Sequence, residues 1–362
     1  MQIPVRLGAR SYSIVVEPGG LAKLGDHLRP LGLGGKTAVV SDPAIRARYG
    51  ATVADSLRTA GFGVVEIDVP GGESAKTIEV AARCWDALVD ARLDRTSTVV
   101  ALGGGAVGDL AGFVAATYMR GLNFVQVPTT VLAQVDASVG GKTAIDHPRG
   151  KNLIGSFHQP RLVLIDPFTV LSLPARDFRS GLAEMVKHGI ALDARHFEDL
   201  ERSVPAILAR DAGTLERLIG DSCRLKASVV ERDPEEKGEI RFALNYGHTI
   251  GHALEAATGY ERWTHGEAVS LGIVAEARLA RRVGIAADET VARQESLLVA
   301  LGLPTRAEGL DAARVLDAMG RDKKARDGRI PFVLAPAIGS FRVVYDVRAD
   351  DVRATLAELD AA

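Results

Sequence analysis

The stretch from Thr96 to Gly108 constrains this chain more than any other. Seven residues of strand character, Thr-Ser-Thr-Val-Val-Ala-Leu, run directly into Gly103-Gly-Gly-Ala-Val-Gly108, and an apolar helical pattern follows at once. A chain that passes from strand to helix through so short a turn folds as a strand–turn–helix unit. Several such units side by side give a mainly parallel sheet with helices on both faces. The flanking sequence repeats the pattern. Residues 3–7 and 11–16 alternate around Gly8, which predicts a hairpin, and strands are predicted at 37–41, 63–69, 96–102 and 123–127. From about Pro174 the texture changes. Helical periodicity runs through 179–191, 196–209, 213–232, 243–257, 265–283, 287–301 and 311–319, with short strands expected at 330–334 and 341–345. The expected fold is an α/β N-terminal domain, residues 1–170, with a mainly parallel doubly wound sheet, followed by a mostly α-helical C-terminal domain, residues 171–362.

Composition removes several classes. A chain of 362 residues suits two domains of ordinary size. Its 47% apolar and 25% charged content is that of a soluble globular protein. The formal net charge of −2 argues against general nucleic-acid binding, which needs a basic face. No run approaches the ~20 apolar residues of a membrane span. Cys84 and Cys223 are far apart, so neither a disulfide framework nor a cysteine-rich zinc module is expected. Met-Gln-Ile-Pro-Val-Arg shows no basic-then-apolar leader pattern, and a cytoplasmic protein is the expectation. Only ten of the 44 basic residues are lysine, so each lysine position invites a question.

Gly103, Gly105 and Gly108 satisfy G-x-G-x-x-G in the context that pattern requires, after a strand and opening a helix. Glycines let the backbone approach a pyrophosphate, and the helix N-terminus supplies N–H groups and a positive dipole. A tight ligand-free turn would read the same way. The dinucleotide fingerprint also expects an acid about 20 residues on, to hold the ribose. No Asp or Glu stands between Leu110 and Val135, so that acid must come from elsewhere. Asp42 and Glu73 are the candidates, although Asp42 before Pro43 also looks like a helix N-cap. Gly140-Gly-Lys-Thr143 resembles the end of a phosphate-binding P-loop, yet Ala137 occupies the position that needs glycine, which argues against a P-loop ATPase. What survives is Lys142 in a glycine-rich turn, with Lys151 and Asn152 expected in another.

In the helical half, His248 and His252 stand at i, i+4 on one helix face. No Glu lies between them, which removes the general base of a zinc protease. Glu184 and Lys187 stand at i, i+3, and His265 follows downstream. One histidine on an apolar helix is most often a core residue. Three of them plus Glu184 point towards a metal site, and the spacing leaves open which are ligands.

Together these stretches resemble one family, 3-dehydroquinate synthase. The matching segments are 103–113, 117–121, 128–130, 136–143, 150–155, 181–187, 244–255, 265–268 and 322–324, in the family's order, so the resemblance covers nearly the whole chain. It implies a nucleotide-binding first domain and a metal- and substrate-binding second one. NAD would be lined by Asp42, Gly71, Gly72, Glu73, Ser74, Ala75, Lys76, Gly105, Ala106, Val107, Gly108, Asp109, Thr129, Thr130, Lys142, Lys151, Thr169, Val170, Leu171 and Ser172. Glu184, His248 and His265 would hold Zn2+ or Co2+, which moves His252 from ligand to substrate contact. Arg120, Asp136, Lys142, Asn152, Lys187, Lys226, Arg241, Asn245, His252, Lys323 and Lys324 would bind substrate. Lys142, Lys187, Glu184, His252, Asn245 and Asp136 would be catalytic. The arginine matching Arg120 reaches a neighbouring subunit's site in the family, which implies a homodimer. This chain departs from the family at Pro70-Gly-Gly-Glu-Ser-Ala-Lys76, where Pro-Asp-Gly-Glu-Gln-Tyr-Lys is usual, and by carrying Pro234 after Asp233.

The resemblance also implies the chemistry. The family's substrate, 3-deoxy-D-arabino-heptulosonate 7-phosphate, is a sugar acid with a phosphate and a carboxylate. NAD oxidises a ring hydroxyl, phosphate is eliminated, the ketone is reduced again, the ring opens and an aldol step closes the carbocycle. NAD is thus regenerated each turnover. Seven of the ten lysines fall in segments assigned to these anions. Two alternatives stand beside this reading. Other sugar-phosphate cyclases use substrates without the carboxylate that Lys226 and Arg241 would grip, and metal-dependent polyol dehydrogenases share the two-domain layout.

Overall fold

The computed structural model describes residues 1–320 and 330–361, so Lys323 and Lys324 lie outside the described residues. The chain divides into two compact units, Met1–Leu173 and Pro174–Ala362.

The first unit is built on a seven-stranded sheet. Its strands are β1 (Gln2–Val5), β2 (Tyr12–Val16), β3 (Lys36–Ser41), β4 (Gly63–Asp68), β5 (Thr98–Gly103) and β6 (Asn123–Pro128), with β9 (Leu162–Ile165) inserted between β2 and β6. The order is β1-β2-β9-β6-β5-β3-β4, and only β1 and β2 pair antiparallel. Every residue of β5 is buried, as expected of a parallel strand covered on both faces. Its alternation distributes the core. Val99 and Ala101 pack with Leu110, Val114 and Phe124 on one face, while Val100 and Leu102 pack with Leu28, Val53 and Val125 on the other. The helix Ile78–Asp90 begins where Thr77 accepts a hydrogen bond from Val80 N–H, an N-cap.

Two strands were not anticipated besides β9. Residues 142–157, expected as glycine-rich turns, form an antiparallel hairpin of β7 (Lys142–His147) and β8 (Gly150–Phe157). The turn expectation for Lys142, Lys151 and Asn152 is therefore corrected: they stand on strands. β8 buries almost nothing, so it lacks the apolar alternation that reveals a strand in sequence.

The second unit is mostly helical. Long helices run Ala175–Leu192, Ala194–Leu208, Ala212–Arg232, His248–Ala257, His265–Arg282 and Asp288–Ala300, and two short strands, Phe332–Leu334 and Arg342–Val344, pair antiparallel. The continuous helix expected over 243–257 is broken. A 3-10 turn covers Ile240–Asn245, and Gly247 at φ +78° then starts the helix afresh. Among the described residues, no helix is long and apolar enough to cross a membrane.

Candidate functional site

In the first unit, the glycine turn joins β5 to a helix, the local context the pattern calls for. The helix Gly105–Thr117 begins at Gly104 with no side chain capping it, leaving its first N–H groups to a ligand or solvent. A Cβ on Gly108 would lie 2.7 Å from Gln126 Oε1, so glycine lets this helix sit against β6 without displacing the Gln126 side chain. Thr129 N–H donates to Gly103 O (2.9 Å), which holds the loop after β6 against this turn. Buried Gln134 secures the same loop from below. Its Nε2 donates to Pro128 O (3.2 Å), Asp166 O (3.1 Å) and Thr169 Oγ1 (2.9 Å), joining the Thr129–Thr130 loop to the 3-10 turn Pro167–Ser172 that carries Thr169, Val170, Leu171 and Ser172. Asp42 is an N-cap: its Oδ1 accepts from Ala44 and Ile45 N–H. It also lies beside Gly71, at the start of the Gly71–Ala75 turn, so the two segments proposed for a ribose meet.

A charged cluster completes this unit, and its centre is a lysine. Lys76 is 2% exposed, and its Nζ donates to Asp109 Oδ2 (2.8 Å) and to Asn152 Oδ1, with Asp146 Oδ1 at 3.9 Å. Glu73 pairs with Lys151 at 3.2 Å. Burial works against the charged form of Lys76, and Asp109 and Glu73 outweigh it, raising its pKa. For Asp109 burial outweighs Lys76, and its carboxyl is raised. Asn152 stands at φ +56° and receives the lysine while its own N–H donates to Asp146 (2.8 Å). Asp146 was missed in sequence because only the bulged hairpin brings it here. Arg120 stands apart from this cluster. It follows Met119 at φ +51°, has φ +68° itself, is exposed, and makes no hydrogen bond or ion pair among the described residues. Two successive left-handed non-glycine residues are a local strain of the kind found at functional turns.

In the second unit, the centre is a carboxylate. Glu184 is fully buried on the helix Ala175–Leu192, ion-paired with buried Lys187 one turn on. His248 Nε2 and His265 Nε2 approach the same oxygen, Glu184 Oε1, at 3.5 Å and 3.3 Å. Donor atoms of Glu184, His248 and His265 all lie within 4.8 Å of one another. Glu255, 6% exposed, faces His265 Nδ1 at 3.3 Å, and the ring of His252 stands 5.1 Å from that of His248.

Local sequence explains the convergence. His265 opens its helix behind a capping box, in which Thr264 Oγ1 accepts from Glu267 N–H while Glu267 accepts from Thr264 N–H. Next to it, Gly266 N–H donates to Ser180 Oγ (3.0 Å), and a Cβ on Gly266 would lie 1.8 Å from Ser180 O. That close approach sets Glu184 beside His265. A Cβ on Gly272 would likewise lie 1.9 Å from Gly247 O, so the helices of His248 and His265 meet backbone to backbone. Buried Glu276 accepts from Gly247 N–H (2.7 Å) and Ile250 N–H (3.4 Å), capping the first turn of the His248 helix with a negative charge.

The electrostatics call for a cation. Burial disfavours a charged imidazole at His265, yet the carboxylates of Glu184 and Glu255 outweigh it and raise the ring to about 10. A site that draws a proton so strongly suits a metal ion in its place, and one carboxylate with two imidazoles leaves coordination positions open. Lys226 and Arg241 are also buried in this unit, and Arg241 Nε and Nη1 have no hydrogen-bond partner among the described residues. Asn245 ends the 3-10 turn. Sequence reasoning missed Glu255 and Glu276. Glu255 was within reach, since it follows His252 by three residues on the same helix face. Glu276 was not, because its role depends on which helix packs against which.

A parallel sheet with a glycine-rich phosphate-type turn, joined to a helical unit with a Glu/His cluster, defines the class of nucleotide- and metal-dependent two-domain enzymes. The comparisons narrow it. Residues 66–180 match the family described as 3-dehydroquinate synthase N-terminal, and residues 181–325 match 3-dehydroquinate synthase C-terminal. The 3-dehydroquinate synthase of Pelobacter propionicus is 50% identical over 94% of this chain and 95% of its own. That of Rippkaea orientalis is 45% identical over 98% and 97%. Among solved structures, ValA, the 2-epi-5-epi-valiolone synthase of Streptomyces hygroscopicus subsp. jinggangensis 5008 with NAD+ and Zn2+ bound, superposes with a TM-score of 0.88 at 28% identity, covering 96% of each chain. The chain belongs to the 3-dehydroquinate synthase family.

Proposed function

We infer that this lyase has its family's activity: it converts 3-deoxy-D-arabino-heptulosonate 7-phosphate to 3-dehydroquinate and phosphate, a step of aromatic amino acid biosynthesis. One observation carries the reading. In a chain whose two halves both match the family, Glu184, His248 and His265 converge on one point. The higher identity to 3-dehydroquinate synthases than to the valiolone synthase supports the sugar-acid substrate. So does Arg241, whose buried nitrogens without hydrogen bonds suit a substrate carboxylate.

We assign the cofactors as NAD in the first unit and Zn2+, or Co2+, in the second. When bound, NAD takes and returns a hydride, and the metal polarises substrate oxygens. The chain's own residues do the rest. The uncapped helix start at Gly105–Gly108 receives the pyrophosphate, and Asp42 with the Gly71–Lys76 turn receives the ribose. Lys76 keeps Asp109 and Asn152 in place. In the second unit Lys187 lies against Glu184, where its ammonium neutralises the carboxylate and offers a proton donor to a substrate oxygen. Lys226, Arg241, Asn245 and His252 serve as substrate contacts there, as Arg120, Asp136, Lys142 and Asn152 do in the first unit. Arg120, uncommitted on a strained exposed turn, suits the role of completing a partner's site in a homodimer. Cys84 and Cys223, both buried and not joined in a disulfide, are in keeping with a cytoplasmic location.

The test is turnover. Purified protein with the heptulosonate and catalytic NAD should release phosphate with no net build-up of NADH. Stoichiometric NADH would instead indicate a polyol dehydrogenase, and activity on sedoheptulose 7-phosphate alone would indicate a different cyclase.

A further inference from the structure

We propose that Glu255 is a positioning residue that fixes His265 for metal binding. The proposal rests on the metal reading above and deepens it. The two histidines of the cluster are held in parallel ways. His248 Nδ1 meets a backbone acceptor, Tyr246 O, at 3.1 Å, and its Nε2 faces Glu184 Oε1. His265 Nδ1 meets Glu255 Oε2 at 3.3 Å, and its Nε2 faces the same Glu184 oxygen. A neutral imidazole carries one N–H and one lone pair. An acceptor at Nδ1 therefore places the proton there and turns the Nε2 lone pair towards Glu184.

The two anchors differ, and the surroundings give a reason. The His248 side chain is 9% exposed, so packing on every side restrains its ring. The His265 side chain is 31% exposed and stands at the first position of its helix, where packing restrains it less. Glu255 supplies that restraint from a buried position on the neighbouring helix. Being a carboxylate rather than a carbonyl, it also makes the imidazole a stronger donor. A second arrangement uses the same atoms: His252, Glu255 and His265 also bring donor atoms within 4.8 Å of one another, which would make Glu255 itself a ligand. Positioning is favoured because Glu255 meets the side of the ring turned away from Glu184, while Glu184 gathers both Nε2 atoms.

The test measures metal binding, not turnover. Zn2+ affinity of the full chain is determined by competition with a chromophoric chelator, and the Co2+ form is examined by its visible absorption. Glu255→Ala should still bind one ion but about 100-fold more weakly, and Glu255→Gln, whose amide oxygen still accepts from Nδ1–H, about 10-fold more weakly. Both should shift the cobalt spectrum. Wild-type affinity and spectrum in Glu255→Ala would overturn the proposal. Loss as complete as in Glu184→Gln would also overturn it, by making Glu255 a ligand. Should Glu255→Ala fail to fold, the isosteric Glu255→Gln decides: wild-type affinity and spectrum there overturn the proposal. The parent reading fails separately, if Glu184→Gln and His265→Ala bind Zn2+ as tightly as the wild type.

Discussion

The charged clusters around Lys76 in the first unit and Glu184 in the second are built with opposite polarity. In the first, a buried lysine, Lys76, sits among the acids Asp109 and Asp146, with the Glu73–Lys151 pair beside them. In the second, a buried acid, Glu184, sits among Lys187, His248 and His265, with Glu255 behind. The first cluster supplies its own central cation. The second gathers carboxylates around imidazoles, an arrangement suited to a cation from outside. The same elementary rule governs both, that buried charge must be compensated. It yields a cluster around a buried lysine in one place and a set of groups suited to a metal ion in the other.

The largest effect expected from breaking this contrast is at the second centre. Glu184→Gln removes the charge that both imidazoles face, and phosphate release should fall about 1,000-fold, together with Zn2+ binding. A variant that kept either would place the metal elsewhere. At the first centre the expected loss is in stability. Lys76→Met leaves Asp109 and Asp146 without their cation, and the urea midpoint should report a loss of about 3 kcal/mol or more. A neutral result would mean that the acids find protons or solvent instead.

The smallest effect separates the units by pH. Buried His196 accepts or donates a hydrogen bond with Ser222 Oγ at 3.0 Å. Burial first, and His188 next, depress its pKa to about 4. The unfolded chain, near 6.5, takes up the proton first. The folded state is therefore fully favoured above about pH 6.5 and loses stability as pH falls towards 4, by about 3 kcal/mol at most. Denaturant midpoints at the two ends of that window should show a smaller difference in His196→Gln than in the wild type. An equal difference would assign the acid sensitivity to other groups.

The contrast also explains what sequence could and could not reveal. The first unit's sheet is legible because parallel strands announce themselves as short apolar runs, such as Thr98–Gly103, followed by glycine turns. The β7–β8 hairpin was hidden because β8 is exposed along its length and carries Gly, Lys and Asn, the residues of turns. Lys142, Lys151 and Asn152 were placed in glycine-rich turns, and the strands beneath them were missed. In the second unit, the i, i+4 spacing of His248 and His252 left open which histidines stand against Glu184, and the structure brings His248 and His265 to its Oε1. The close backbone approaches of Gly266 to Ser180 and of Gly272 to Gly247 bring His265 in from another helix. Glu255 and Glu276 remained silent because a carboxylate looks the same in sequence whether buried or solvated.

The asymmetry between the two centres is tested most directly by hydrogen exchange of the full chain, stripped by a chelator and then reloaded with Zn2+. Reloading should slow exchange in the helices His248–Ala257 and His265–Arg282 and leave β3, β5 and β6 unchanged, since binding energy appears as local stability where the ligands are. Unchanged exchange in those helices, or protection that appears in the first unit instead, would contradict the account.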